Sequence, residues 1–291
     1  MGRDGGARAL PGGAGRGFLR RHALTLTLLG VFFAGLSVLL YPFVSDYVNS
    51  RHQSRVIAGY SESVVRMDDA SYAGMLDAAR AYNEALRANP SRYILSEEER
   101  AEYESLLRVS GTGAMGYLEI PSIRVRLPIY HGTGEEVLQA GIGHMEGTSL
   151  PVGGPGTHTA ITGHRGLPSS LLLTDLDKMS IGDLFMITTL DEVLSYEADQ
   201  ILIVEPDELE SLAIVEGMDY ATLVTCTPYG INSHRLLVRG HRVEGAGGGA
   251  RVTADAIMIE PAFSAAIFAA PMLLALLIGA LIRYRRRRGG I

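Results

Sequence analysis

The sequence predicts a mainly antiparallel β-barrel in its central part, preceded by a helical region, with an apolar segment near each end. In residues 111–244, short runs rich in β-branched and apolar side chains are separated by Gly and Pro, and little of this part has helical character. Many short strands with so little helix are typical of a barrel. The candidate strands are residues 115–120, 125–129, 157–162, 184–189, 193–205, 221–226 and 236–243, and the brief helices are 171–179 and 207–212.

The two apolar segments predict transmembrane helices. Residues 23–44 and 261–282 lack charged side chains and are each long enough to cross a hydrocarbon core of about 30 Å. Arginines cluster before the first and after the second, so the positive-inside rule predicts that both termini are cytoplasmic. No small-residue cleavage site follows the first segment, which predicts an uncleaved anchor. We therefore expect residues 45–260 on the outer side of a cell membrane, in contact with its lipid at both ends.

A helical region of residues 45–110 precedes the barrel. Apolar residues recur at helical spacing through residues 56–88, and Asn89-Pro90 ends that pattern. Ser96 and Glu99 predict a capping box, with a helix running to about Leu107. The full predicted order is a basic tail (1–22), a signal anchor (23–44), the helical region (45–110), the barrel (111–244), a Gly-rich tether (245–260), a second span (261–282) and a basic tail (283–291).

Charge and motif content exclude several classes of function. Ten of the 26 basic residues lie in the tails, so residues 45–260 carry a net charge of about −15, which would repel a nucleic-acid backbone. No zinc-ligand spacing, phosphate-binding glycine loop or Gly-x-Ser-x-Gly elbow is present. We therefore expect no nucleic-acid partner, no metal and no cofactor.

The only cysteine, Cys226, ends an apolar run, and Arg235 begins the next one. Residues 227–234 contain Pro, Gly and Asn, which predicts a hairpin with Cys226 and Arg235 facing each other across its mouth. An unpaired thiol outside the cytoplasm favours a reactive role, and the alternative is a small buried apolar side chain. A cysteine enzyme needs a thiolate, a group that transfers protons and a donor to the oxyanion, and these two residues supply two of the three.

Eight histidines could supply the proton-transfer group. His164 is the best placed, because it follows an apolar strand and is flanked by glycines that let a ligand approach. The others are expected to be structural (His131, His144, His158), turned to the opposite face (His234), out of reach at the cytoplasmic end of the first span (His22), just beyond its outer end (His52) or late in the final strand (His241).

Ordered segments from about Gly116 to Val243 resemble the sortases, and within them the class C pilus-assembly enzymes. The segments are GYLEIPSI, LPIYHGT, HMEGTSLPVGG, TGHRGLP and TLVTCTPYGINSHRLLVRG. The resemblance implies a closed barrel of eight strands, flanked by short helices and preceded by a helical lid region. It also implies that Cys226 is the nucleophile, that His164 donates and accepts protons, and that Arg235 holds the substrate and stabilises the oxyanion.

The resemblance further implies a substrate and a location. A thiolate would attack the Thr–Gly bond of an LPXTG-like sorting signal on a pilin subunit, and a lysine of another pilin would resolve the thioacyl enzyme at the surface of a Gram-positive cell. Two alternatives stay open. One is a sortase that attaches proteins to the cell wall through a peptidoglycan-precursor amine, and the other is a membrane-tethered binding module with an inert cysteine.

The lid is where the sequence departs from the family pattern. Class C sortases usually carry an Asp-Pro-aromatic motif whose ring covers the catalytic cysteine, and the stretch between Tyr82 and Tyr103 has none. Asn89-Pro90 followed by Tyr93 is the nearest substitute. Tyr93 is therefore the candidate lid residue, and the alternative is an exposed tyrosine in a loop that joins two helices.

Overall fold

The computed structural model describes residues 14–109 and 111–244, together with the single positions 274, 278, 279 and 282. The predicted tether and most of the predicted second span lie outside the described residues. Residues 45–244 belong to one compact unit, and the described residues before Ser45 belong to another.

Three helices precede the barrel: α1 (Ala14–Val65), α2 (Asp69–Ala88) and α3 (Glu97–Ser105). The first predicted span lies inside α1, and Thr25–Val65 is long and apolar enough to cross a membrane. The prediction of one helical run through residues 56–88 is wrong at its middle. Asp68 caps α2 by accepting a hydrogen bond from the Ser71 backbone N–H at 2.9 Å, so the chain leaves the helical conformation just before it.

The predicted start of α3 is confirmed. The Ser96 hydroxyl accepts a hydrogen bond from the Glu99 backbone N–H, and the Glu99 carboxylate accepts one from the Ser96 backbone N–H. The helix ends at Ser105 rather than near Leu107, because Leu106 already has extended backbone angles.

Eight strands close into a barrel, which confirms the fold expected from the family resemblance. The order around the barrel is β1-β2-β3-β4-β7-β8-β6-β5. The strands are β1 (Ala114–Ile120), β2 (Val125–His131), β3 (Ile142–His144), β4 (Thr157–Thr162), β5 (Leu184–Thr189), β6 (Glu192–Val204), β7 (Asp219–Thr227) and β8 (His234–Arg242).

Most strand pairs are antiparallel, as predicted, but β2–β3 and β4–β7 are parallel. The short strand β3 and the short helix α4 (Glu135–Ala140) were not predicted. The two brief helices expected between strands are single 3₁₀ turns, Leu176–Lys178 and Glu210–Leu212. A third such turn, Pro121–Ile123, joins β1 to β2.

The helical region and the barrel share one hydrophobic core. Tyr60 of α1 and Tyr103 of α3 are fully buried in the same cluster as Phe185 of β5. The Tyr60 hydroxyl donates to the Met115 carbonyl at 2.9 Å and accepts from the Leu190 backbone N–H at 2.6 Å. Removing the helices would therefore uncover the barrel interior, so this region is an integral part of the folded unit.

Candidate active site

Cys226 and Arg235 are direct partners across the β7–β8 hairpin, which confirms their predicted pairing. The turn between the strands is closed by backbone hydrogen bonds from Ile231 and Asn232 to the Pro228 carbonyl. Asn232 has a positive φ of 59°, a conformation that Asn tolerates better than most side chains. The turn therefore fixes the register that places the thiol and the guanidinium opposite each other.

His164 is brought to Cys226 by the parallel pairing of β4 with β7. Thr162 pairs with Val224, and each of the two site residues lies two positions further along its own strand direction. The Gly163 backbone N–H donates to the Val224 carbonyl at 3.1 Å, which is the last backbone bond of this pairing. A Cβ at Gly163 would lie 2.7 Å from a methyl group of Ile142, so glycine is required for this close approach.

One cavity of about 280 Å³ is bordered by Cys226, His164 and Arg235. It extends from the thiol towards the 3₁₀ turn Glu210–Leu212, and its walls are largely apolar with a few polar groups, as is typical of a binding site. The other lining residues are Thr133, Leu138, Met145, Thr162, Gly163, Val204, Pro206, Glu208, Leu209, Leu212, Val224 and Leu237.

Arg235 keeps N–H groups available for a ligand. Its Nη1 donates to the backbone carbonyls of His234 and Asn232 at 3.2 and 3.4 Å, and no carboxylate of the described residues forms an ion pair with it. The backbone contacts orient the guanidinium without neutralising its charge. A fixed cation with free donors is the arrangement that an oxyanion needs.

The His164 side chain is 25% exposed and makes no hydrogen bond within the described part of the chain. Its Nε2 is buried and lies 3.8 Å from a carboxylate oxygen of Glu135, the first residue of α4. The ring is therefore free to exchange a proton with a group that enters the cavity.

Three other histidines are structural, as predicted. His131 bonds the Leu106 carbonyl, His144 bonds the Tyr103 hydroxyl and the Ser149 carbonyl, and His158 bonds the Ala213 carbonyl and the Thr222 hydroxyl. Burial lowers the pKa of His131, and it lowers the pKa of both His144 and His158 to about 4. These rings are neutral at physiological pH and stabilise the fold.

Tyr93 lies away from the cavity. Its ring packs against Gly147, where an added Cβ would come within 2.8 Å, and the Arg92 guanidinium lies 4.8 Å from its centroid. Tyr93 is not among the residues that line the cavity beside Cys226. A covering role for it stays a prediction, and its packing gives that role no support.

Sequence reasoning did not single out Arg165, the neighbour of His164. Its side chain is almost buried and forms an ion pair with Asp177, and its guanidinium lies over the Tyr229 ring. The TGHRG segment showed an arginine at this position, but nothing in the sequence indicated that it would be buried. Within residues 14–109 and 111–244, no three His, Cys, Asp or Glu side chains come together to hold a metal ion.

Comparison with known proteins places this geometry in a family. The sortase domain profile matches residues 118–243. The crystal structure of sortase C1 from Streptococcus agalactiae is 51% identical in sequence, with a TM-score of 0.63, and the match covers 65% of this chain and 98% of that chain. Sortase C of Streptococcus pneumoniae is 48% identical, with a TM-score of 0.58, and the match covers 65% and 96%.

Curated relatives are more distant. Sortase A of Streptococcus agalactiae is 27% identical over 148 residues, which are 48% of this chain and 60% of that protein. The chain thus spans less than two thirds of the length of the curated relatives that it matches, whereas it covers nearly all of the sortase C structures. Because the matches to those structures combine high identity with the eight-stranded barrel, the chain belongs to the sortase family of cysteine transpeptidases.

Proposed function

We propose that this protein is a class C sortase that joins pilin subunits through a thioacyl enzyme. The observation that supports the proposal is the convergence of Cys226, His164 and Arg235 on one cavity, by two strand pairings that meet in β7. The three groups supply a nucleophile, a proton carrier and an oxyanion donor.

In the first step, the Cys226 thiolate attacks the threonine carbonyl carbon of an LPXTG-like signal. Arg235 donates hydrogen bonds to the oxyanion that forms. The Thr–Gly C–N bond then breaks, protonated His164 gives its proton to the departing glycine amine, and a thioester remains on Cys226. In the second step, a neutral lysine amine attacks the thioester and gives a proton to His164, and Cys226 leaves as a thiolate.

Two observations favour pilins as substrates. Solved structures with high similarity to this chain are sortases C, and the Streptococcus pneumoniae structure is described as giving insight into pilin substrate specificity. In addition, the helical region before the barrel is built into the barrel core, which distinguishes this chain from a barrel that follows a bare anchor. These are grounds for proposing a pilin lysine as the acceptor.

The proposed location is the outer face of a Gram-positive cell membrane. Helix α1 supplies one segment that is long and apolar enough to span the bilayer. The second span and the cytoplasmic position of both termini rest on residues 261–282 and on the arginines of the two tails.

Product analysis tests the function. The full-length protein in detergent is incubated with an LPXTG-like peptide and two acceptors, a lysine-containing pilin peptide and a peptidoglycan-precursor peptide. Mass spectrometry is expected to show an isopeptide between the threonine carbonyl and the pilin lysine. Transfer to the precursor peptide alone would contradict pilin polymerisation and would favour cell-wall attachment as the function. The absence of both adduct and product would favour the binding module with an inert cysteine.

Arg235→Ala is expected to lower kcat/KM by roughly 10²- to 10³-fold, because an oxyanion loses its charged donor. Arg235→Lys should recover part of the loss, since it keeps the charge but not the planar fork. Arg126→Ala, which removes an exposed β2 arginine paired with Glu119, is the control and should change kcat/KM little. If Arg235→Ala and Arg126→Ala changed kcat/KM equally, the role of Arg235 as oxyanion donor would be refuted.

Tyr93→Ala tests the lid. Because the ring packs on Gly147 outside the cavity, the rate at which a methanethiosulfonate reagent labels Cys226 should stay within about two-fold of wild type. Ile94→Ala, at an exposed neighbouring residue, is the control. An acceleration of about ten-fold or more in Tyr93→Ala alone would show that Tyr93 covers the thiol.

A further inference from the structure

Arg165 is an almost buried arginine that the proposed reaction does not use. Its side chain is 9% exposed, and it forms an ion pair with Asp177 in the 3₁₀ turn that follows the His164 loop. Burying a guanidinium is costly even when it is paired, and apolar side chains often replace such pairs without loss of stability. Arg165 is also incompletely satisfied, because its Nε is buried without a hydrogen-bond partner. Stability alone is therefore a poor explanation for this residue.

The second contact of Arg165 reaches the strand that carries the nucleophile. Its Nη1 donates to the hydroxyl of Thr227 at 3.4 Å, and its guanidinium carbon lies 5.9 Å from the Tyr229 ring centroid. Thr227 is the last residue of β7 and directly follows Cys226. One side chain thus joins the His164 loop, the 3₁₀ turn and the end of β7.

These contacts lie beyond the last backbone hydrogen bond between β4 and β7. Backbone hydrogen bonds between β4 and β7 end at Gly163, whose carbonyl also accepts a hydrogen bond from the Thr225 hydroxyl of β7 at 2.8 Å. The loop is held on its other side, where the Leu173 backbone N–H donates to the His164 carbonyl at 3.3 Å and the Gly166 backbone N–H donates to the Thr174 hydroxyl at 3.1 Å. Beyond Gly163, the Arg165–Thr227 hydrogen bond is the side-chain link from this loop to β7 within the described residues.

The two linked residues are the direct sequence neighbours of the two catalytic residues. His164 and Arg165 are consecutive, and so are Cys226 and Thr227. Because each linked residue is joined through the backbone to its neighbour, the Arg165–Thr227 hydrogen bond limits how far His164 can move from Cys226.

We propose that Arg165 is a positioning residue, which holds His164 at the distance from Cys226 that proton transfer to the leaving amine requires. The inference rests on the proposed function. A misplacement of reacting groups by about 1 Å can cost roughly 100-fold in rate, so the link matters without touching the substrate.

Steady-state transpeptidation by Arg165→Met, Thr227→Val and the double variant tests the proposal, with the full-length protein in detergent and the peptide substrates described above. Methionine keeps an apolar stem and removes the guanidinium. For Arg165→Met we expect kcat to fall about 10- to 100-fold while KM stays within about two-fold. Thr227→Val should lower kcat less, and the double variant should be no slower than Arg165→Met, because both changes break the same link.

Arg239→Met is the matched control. Arg239 also pairs with an aspartate, Asp199 at 2.9 Å, and its guanidinium lies 4.3 Å from the Tyr220 ring, but it does not line the Cys226 cavity. It should lower the thermal unfolding midpoint and leave kcat unchanged. If Arg165→Met unfolds, Arg165→Lys replaces it, because lysine keeps the charge and has no planar fork to bridge Asp177 and Thr227.

The outcomes distinguish a failure of the proposed function from a failure of the positioning role. No product from the wild-type protein would contradict the proposed function before any variant is considered. Product from wild type, with kcat within about two-fold in folded Arg165→Met or, failing that, folded Arg165→Lys, would overturn the positioning role alone. Equal losses of kcat in Arg165→Met and Arg239→Met would also overturn it, since the effect would then be a general one on the fold.

Discussion

Cys226→Ala is expected to abolish transpeptidation while the barrel stays folded. Cys226 is the only thiol in the chain, so no second nucleophile can form the thioester. His164 transfers protons and Arg235 donates to the oxyanion in the proposed reaction, but neither side chain replaces the thiol that forms the thioester. The side chain is partly exposed at the end of β7, so its removal should cost less than about 1 kcal/mol of folding free energy.

Two measurements check this expectation. Mass spectrometry of the protein after incubation with an LPXTG-like peptide should show the acyl adduct on wild type and none on Cys226→Ala. Thermal unfolding should give similar midpoints for the two proteins. Ser233→Ala, at an exposed position in the same hairpin turn, is the control and should retain both adduct and product. An adduct or a ligated product from Cys226→Ala would refute the role of Cys226 as nucleophile.

The cross-strand pairing of Cys226 and Arg235 was predictable because a hairpin is local. The six-residue turn 228–233, with Pro, Gly and Asn, fixes the register of both strands, and register fixes which side chains face each other. Most other strands were predictable for a related reason. Their apolar runs are several residues long and end at Gly or Pro, so each one carries its own signal.

The position of His164 beside the same cavity as Cys226 could not be derived in the same way. It depends on β4 lying parallel to β7, although β5 and β6 come between them in the chain, and a parallel pair leaves no turn signal. Sequence reasoning reached His164 through the chemistry of its loop, and the burial of Arg165 depends on the same pairing. The strand β3 was missed because it has three residues, one of which is Gly143.

The break between α1 and α2 had a local signal that the periodicity concealed. Apolar residues continue at helical spacing on both sides of residues 66–68, so the pattern alone indicates one helix. Asp68 followed by Ser71 is the cap that divides it, and its side chain accepts the Ser71 backbone N–H. Capping residues therefore carry as much information as periodicity in such segments.

Acid is expected to destabilise the folded domain between pH 6.5 and about pH 4 through His144 and His158. Both rings are buried, and burial lowers the pKa of each to about 4 from the ordinary value of 6.5. Below pH 6.5 the two histidines bind protons in the unfolded chain but stay neutral in the folded domain until the pH approaches 4. The stabilisation is therefore complete above pH 6.5 and is lost as the pH falls towards 4, by up to about 3 kcal/mol for each ring.

The cost at an intermediate pH is large enough to measure. At pH 5 the two rings together should lower the free energy of unfolding by about 4 kcal/mol. That is a substantial part of the roughly 5–15 kcal/mol typical of a folded domain. The expected observable is a guanidinium unfolding midpoint, followed by circular dichroism, that falls steadily from pH 7 to pH 5.

Variants separate this effect from general acid sensitivity. His144→Gln and His158→Gln should each be less stable than wild type at pH 7, since glutamine cannot reproduce both hydrogen bonds of the ring. In each variant the free energy of unfolding should also fall less between pH 7 and pH 5, because one histidine with a lowered pKa has been removed. His52→Gln, at an exposed position on α1, should keep the wild-type slope. If both buried-site variants kept that slope as well, the titration of other groups would have to account for acid unfolding.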